Sequence, residues 1–176
     1  MRIISGTYKG RYIPVPTAFK ARPTTDFARE GLFNVLANTY DFKGLMVLDL
    51  FAGTGSIGLE FASRGAERVD MVEINPGTTS FLQHTCRHLE IENVRVIRGD
   101  VSKFLRHCRT SYDLVFADPP YDLDIIPVLP ELVLNAGILV KDGWFILEHG
   151  KNHAFIQHPQ FHESRKYGSV HFTIFE

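Results

Sequence analysis

The chain lacks long apolar runs, has little sulfur and carries a single tryptophan. None of its 176 residues falls in an apolar stretch of the roughly 18 or more positions that a membrane-spanning helix needs. The opening Met1-Arg-Ile-Ile-Ser-Gly6 is not a secretory signal, so a cytoplasmic protein is expected. Only two cysteines occur, Cys86 and Cys108, far apart and outside any C-x-x-C spacing. That excludes a disulfide framework and reads as two reduced thiols. His84 and His88 are spaced i, i+4, and His149, His153, His158 and His162 cluster, but no H-E-x-x-H or Cys/His framework is present. No metal is therefore expected. Repeats, low-complexity tracts and linkers are also missing. A chain of this length and ordinary composition is expected to form one domain over residues 1–176, as a monomer.

Acid is absent from one end. Residues 1–25 carry Arg2, Lys9, Arg11, Lys20 and Arg22 and no Asp or Glu, a charge of +5. The remainder has 14 basic and 20 acidic side chains, or −6, so the net −1 conceals a basic arm on an acidic body. Such an arm fits a polyanionic partner engaged at one end, and these five side chains are the candidate nucleic-acid contacts. A solvated strand pair would carry the same charges without that role.

What is present centres on Val47-Leu-Asp-Leu-Phe-Ala-Gly-Thr-Gly-Ser-Ile-Gly58. Val47–Leu50 suits a buried parallel strand, and Gly53, Gly55 and Gly58 form G-x-G-x-x-G ahead of a helical pattern. A glycine turn between strand and helix lets backbone N–H groups approach a polar or anionic ligand. Alone it is weak, because many such turns are only tight turns.

Upstream, residues 1–16 read as a hairpin around a glycine turn, ended by Pro14 and Pro16, and a helix runs from Thr24 or Thr25 as N-cap to about Thr39. From Gly44 strands and helices alternate: helix Ser56–Arg64, strand Arg68–Glu73, helix Pro76 to about Leu89, strand Val94–Arg98, helix Val101–His107 and strand Tyr112–Ala117. A helix around Ile126–Asn135 and strand Gly143–Glu148 follow, then a hairpin of Phe161–Tyr167 and Ser169–Phe175 turned at Gly168. The alternation predicts an α/β fold, a mostly parallel sheet with helices on both faces. Such sheets bind ligands at the carboxyl ends of their strands.

Those strand ends carry acids. Glu73 lies 20 residues after Gly53, where a carboxylate can accept both ribose hydroxyls of a nucleoside cofactor; it could instead cap the next helix. Asp100 could accept the amino hydrogens of an adenine or serve as an N-cap. Asp118-Pro-Pro-Tyr121 ends the fourth strand. Two prolines offer no N–H, so acceptors line this turn: the Asp118 carboxylate and neighbouring carbonyls. Tyr121 adds a flat face, and the site suits a planar molecule bearing –NH₂.

Together, Phe51-Ala-Gly-Thr-Gly-Ser56, the acids at the second and third strand ends and Asp118-Pro-Pro-Tyr121 resemble the S-adenosylmethionine-dependent amino-methyltransferases. Arg2-Ile-Ile-Ser-Gly6, Lys9-Gly-Arg11, Arg22-Pro-Thr-Thr-Asp26, Arg29-Glu30 and Leu32-Phe-Asn34 are similar to the RsmD family, whose members methylate the exocyclic N2 of one guanine in 16S ribosomal RNA. The likeness runs essentially from end to end. It implies a Rossmann-like class I methyltransferase fold with an antiparallel C-terminal hairpin. It implies S-adenosyl-L-methionine as cofactor, and 16S ribosomal RNA or an assembling small subunit as partner. It further implies that Asp49, Phe51, Ala52, Gly53, Thr54 and Gly55 hold the methionine end. Glu73 and Ile74 would lie at the ribose, Asp100 and Val101 near the adenine, and Asp118, Pro119, Pro120 and Tyr121 would form the catalytic motif. Phe27 departs from the pattern, standing where members often have a basic residue. The competing readings are methylation of adenine N6 or a protein amide, a nicotinamide-dependent oxidoreductase, in which Asp-Pro-Pro-Tyr has no role, and a non-catalytic RNA-binding assembly protein.

Overall fold

The computed structural model describes residues 1–17, 19 and 25–176. Lys20 and Arg22, two of the five candidate RNA contacts, lie outside the described residues, as does Thr24.

Helix α1 spans Asp26–Thr39 and is capped by Thr25, whose Oγ1 accepts from Ala28 N–H at 3.2 Å. Then come β1 (Met46–Leu50), α2 (Gly58–Ser63), β2 (Arg68–Glu73), α3 (Pro76–His88) and β3 (Val94–Arg98). Next are α4 (Val101–His107), β4 (Tyr112–Ala117), a 3-10 turn (Ile126–Val128), α5 (Leu129–Leu134), β5 (Leu139–His149), β6 (Phe161–Tyr167) and β7 (Val170–Phe175). The seven strands form one sheet in the order β3-β2-β1-β4-β5-β7-β6. The first five are parallel, and β7 lies antiparallel between β5 and β6.

Residue parity within the strands sorts side chains between two cores. Val47, Met71, Phe116 and Ile146 pack with Leu32, Phe33, Phe61 and Leu82 of α1, α2 and α3. Leu48, Leu50, Val115 and Leu147 pack with Val101, Leu105, Leu129 and Val133 of α4 and α5. Asp49 shares the parity of Val47, so its carboxylate falls on the α2 side.

Four segments differ from expectation. Residues 1–13 double back as expected, with Ile3 N–H donating to Arg11 O at 3.1 Å, Gly10 N–H to Ile3 O at 2.9 Å and Ile13 N–H to Met1 O at 2.8 Å, but the pairing forms an isolated bridge, Arg2 to Tyr12, rather than two strands, with Ile3 and Ile13 buried. Their remaining pairing partner is α2: Glu60 accepts from Ile4 and Ser5 N–H, and Thr7 N–H donates to Ser63 O. Helix α2 starts at Gly58 rather than Ser56, because the turn holds Ser56 and Ile57 until Gly58 N–H meets Asp49. The helix expected at 126–135 opens as a 3-10 turn, consistent with Pro127 and Pro130 removing two N–H donors. Strand β5 begins earlier, at Leu139, and passes a register shift opposite Tyr112–Leu114.

Candidate active site

Strand order reverses between β1 and β4, whose carboxyl ends lie side by side with Leu50 opposite Ala117. Register carries this level across the sheet: Glu73 pairs with Arg98, Leu50 with Val72 and Ala117 with Leu147. The glycine turn, Glu73, the Asp100 loop, Asp118-Pro-Pro-Tyr121 and Glu148 therefore crowd one edge, the place where open parallel sheets receive ligands.

The glycine turn begins at Phe51, which adopts φ 60°. A bulky residue in the left-handed region stores strain of order 1–3 kcal/mol, a feature that clusters at ligand sites. Ala52 N–H donates to Val72 O and Gly55 N–H to Ala52 O. The three glycines do different work. A Cβ on Gly55 would come within 2.6 Å of Leu82 and one on Gly58 within 2.9 Å of Asp49, so both serve close packing. Gly53, at φ 53°, meets only the Phe51 carbonyl, at 3.8 Å, and presents open backbone. The Thr54 side chain is buried, its Oγ1 3.9 Å from Met1 Sδ, so Thr54 offers backbone rather than hydroxyl to the cleft.

Two carboxylates tie this turn. Glu73 Oε2 accepts from Gly53 N–H at 2.9 Å and Oε1 from Asn75 N–H at 2.7 Å, while Asn75 caps α3. Glu73 thus clamps the end of β2 to the turn instead of capping the helix, and it is only half-buried. Ile74 beside it is exposed. Asp49, 2% exposed, accepts from Gly58 N–H at 2.9 Å. Burial pushes its carboxyl from 3.8 up to about 7, against the pull of that bond, and the Glu73 charge adds to the rise. A turn bordered by a desolvated acid and a half-exposed one, with one glycine face open, fits a ligand carrying both cationic groups and a ribose diol.

Asp100 caps α4, accepting from Lys103 N–H at 2.9 Å, the second of the two roles its local sequence left open; Val101 is buried. Asp118 follows β4, with its N–H directed at Leu50 O at 3.5 Å, and Pro119 is buried while Pro120 is exposed. Tyr121 is 40% exposed, and its hydroxyl donates to Glu148 Oε1 at 3.0 Å. Sequence reasoning passed over Glu148, although it ends an apolar strand just as Glu73 and Asp118 do. It also gave Arg29 only as a motif residue. Buried Arg29 donates to Arg2 O at 2.7 Å, Asp26 at 2.8 Å and Ser56 O at 3.4 Å, joining α1, the basic arm and the glycine turn.

Of the described basic candidates, Arg2, Lys9 and Arg11 are exposed. Arg2 lies near the glycine turn through Arg29. Lys9 sits at the far turn of the arm, where Tyr8 Oη donates to Glu90 O at the end of α3. Phe27 is 69% exposed and meets Tyr167 edge-on at 5.8 Å. Buried His149 is held neutral: its Nδ1 lies 2.9 Å from Gly150 O, its Nε2 2.8 Å from Thr173 Oγ1, and burial lowers its pKa. Among the described residues no group of three or more His, Cys, Asp or Glu could hold a metal ion.

The model of the family described as Conserved hypothetical protein 95 matches residues 1–176. The chain belongs to this family, the RsmD family. Among relatives, it is 36% identical to Ribosomal RNA small subunit methyltransferase D of Buchnera aphidicola (subsp. Baizongia pistaciae), over 89% of this chain and 74% of the relative. It is 31% identical to the Escherichia coli (strain K12) protein of that name, over 100% and 89%. A hypothetical protein of Thermus thermophilus superposes with a TM-score of 0.88 at 31% identity, over 100% of this chain and 99% of that one. More distant in sequence, at 18% identity but a TM-score of 0.67, SMU.776 was solved in complex with SAH and shares the fold over 84% of this chain and 49% of its own. The RsmD-family fold expected from sequence, a mostly parallel sheet closed by an antiparallel hairpin, is the one observed.

Proposed function

We propose that this protein transfers a methyl group from S-adenosylmethionine to the exocyclic N2 amine of a guanine in small-subunit ribosomal RNA. The observation that carries the reading is the juxtaposition, across the β1–β4 switch point, of the strained glycine turn and Asp118-Pro-Pro-Tyr121. Membership of the RsmD family supports the ribosomal RNA substrate, and the acceptor-lined turn supports an amine as the methylated group.

When bound, S-adenosylmethionine supplies an electrophilic methyl on a sulfonium. Glu73 would hold its ribose, and the turn Phe51–Gly55 with Asp49 would hold its methionine end. A guanine amine is a poor nucleophile because its lone pair is delocalised into the ring. Asp118 and the Pro119 carbonyl accept its two N–H bonds, which favours the pyramidal amine and offsets the positive charge that develops on nitrogen. Asp118 and the Pro119 carbonyl would thereby orient the nitrogen lone pair for in-line attack. The proton leaves after transfer, so no strong base is needed. Tyr121 stacks on the unstacked guanine and keeps it in the cleft.

The test is a pair of variants in a single-turnover assay on small ribosomal subunits from cells lacking the protein. Asp118→Ala should bind the cofactor normally and lose methyl transfer by about a hundredfold or more. Asp118→Asn should lose most activity as well, because its amide NH₂ faces the substrate NH₂. A near-normal rate in Asp118→Ala would remove the mechanism.

A further inference from the structure

Tyr121 is held on two sides by residues outside the Asp-Pro-Pro-Tyr motif. Its hydroxyl donates to Glu148 Oε1 at 3.0 Å, and Glu148 is 3% exposed at the carboxyl end of β5. Its ring also lies on the backbone of Gly150: a Cβ there would approach Tyr121 Cδ2 to 3.0 Å and Cε2 to 3.4 Å. Gly150 is in turn fixed by the neutral His149, which donates from Nδ1 to Gly150 O and accepts at Nε2 from the Thr173 hydroxyl on β7. The antiparallel hairpin thereby supports the end of β5, and the end of β5 supports the tyrosine.

We propose that Glu148 and Gly150 are positioning residues for Tyr121, presetting the ring on which the target base stacks. This rests on the guanine-methylation reading above. A tyrosine at a loop tip that was free to rotate would have to be ordered each time a base entered, at an entropic cost to binding. With its hydroxyl tethered and one side seated on glycine, the ring is ordered beforehand, and its exposed part awaits the base. Supporting contacts of this kind keep a site in productive geometry. Glu148 acts through the tyrosine hydroxyl and touches no reacting atom, so its effect depends on that hydroxyl being present.

A double-mutant cycle tests this, with single-turnover methylation of small ribosomal subunits from cells lacking the protein as readout and cofactor affinity by calorimetry in parallel. Glu148→Leu and Tyr121→Phe should each slow transfer about tenfold, the effect of losing one hydrogen bond to a charged acceptor. In the Tyr121→Phe background, Glu148→Leu should add less than about twofold. Glu148→Gln keeps an acceptor and should retain the rate within about threefold. Gly150→Ala should slow transfer, because the new methyl displaces the ring. Cofactor affinity should hold in all four. Equal losses from Glu148→Leu in both backgrounds, or a Glu148→Gln as slow as Glu148→Leu, would overturn the proposal. If Glu148→Leu does not fold, a wild-type rate in Gly150→Ala would overturn it. Failure of the underlying reading looks different: Tyr121→Ala would then methylate at the wild-type rate, or the product would carry no N2-methylguanosine.

Discussion

Replacing Asp49 by Asn should stabilise the cofactor-free protein in a pH-dependent way. Asp49 lies in the α2-side core, and its carboxyl is raised from 3.8 to about 7 by burial. The folded state therefore holds a proton that the unfolded chain gives up near 3.8. The contribution of this group is most favourable below that value and is lost as pH rises through about 7. At about 1.4 kcal/mol per pH unit, the ionised form costs about 4 kcal/mol by pH 8. Asn keeps an oxygen for Gly58 N–H, but buries an NH₂ at a cost of about 1–3 kcal/mol. The variant should then be about 1–3 kcal/mol more stable at pH 8, a rise in melting temperature of about 2–4 °C per kcal/mol. At pH 5 that advantage should shrink by about 3 kcal/mol, because wild-type Asp49 is protonated there. Thermal unfolding of both proteins from pH 5 to 8 measures the difference. Curves that stay parallel would refute the titration of Asp49 in this range. A cation seated beside Asp49 should drive the proton off, so cofactor binding at pH 6.5 should release protons, read by calorimetry in buffers of differing ionisation heat.

Glu73→Ala removes the acceptor for the Gly53 and Asn75 amides and should weaken S-adenosylmethionine binding by about 1.5–3 kcal/mol in calorimetry; preferential binding of NADH would overturn the cofactor assignment. Glu60→Ala strands Ile4 N–H, Ser5 N–H and Arg64 and should destabilise the protein by about 2–4 kcal/mol in urea unfolding. A change below about 0.5 kcal/mol would show that the arm is not anchored there. Charge reversal at Arg2 and Arg11 should weaken RNA binding at all sequences and lower its salt slope by about one for each phosphate no longer neutralised. Lys9, at the far turn of the arm, should matter less, and an equal or larger effect there would move the RNA path.

The parallel part of the sheet was legible because most of its strands are short, largely apolar runs with an acid at or near the carboxyl end: Glu73, Asp100, Asp118 and Glu148. β2, β3, α4, β4 and β6 fall where their sequences end in Glu73, Arg98, His107, Ala117 and Tyr167. Boundaries went astray where a long-range bond decides them. Ser56 and Ile57 look helical, but Asp49 meets Gly58 nine residues along and starts α2 there. Leu139 joins β5 through its pairing with Tyr112, across an irregular register that no local pattern reports. The arm does turn back and pair with itself, Ile3 with Arg11 and Ile13 with Met1, but its anchoring to Glu60 and Ser63, more than 50 residues away, was not legible. The glycine turn, Glu73 and Asp118 announced themselves by spacing. Tyr121's support did not, because Glu148 lies 27 residues on and meets the tyrosine only when β4 and β5 pair. Gly150 reads as an ordinary turn residue until the ring is seen against it.

Mass spectrometry of small-subunit ribosomal RNA from cells with and without this protein tests the central claim most directly. Digestion to nucleosides and mapped fragments should show one N2-methylguanosine at a single guanine, absent without the protein and restored by the wild-type chain but not by Asp118→Ala. An unchanged set of methylated guanines, or the loss of N6-methyladenosine instead, would contradict the account.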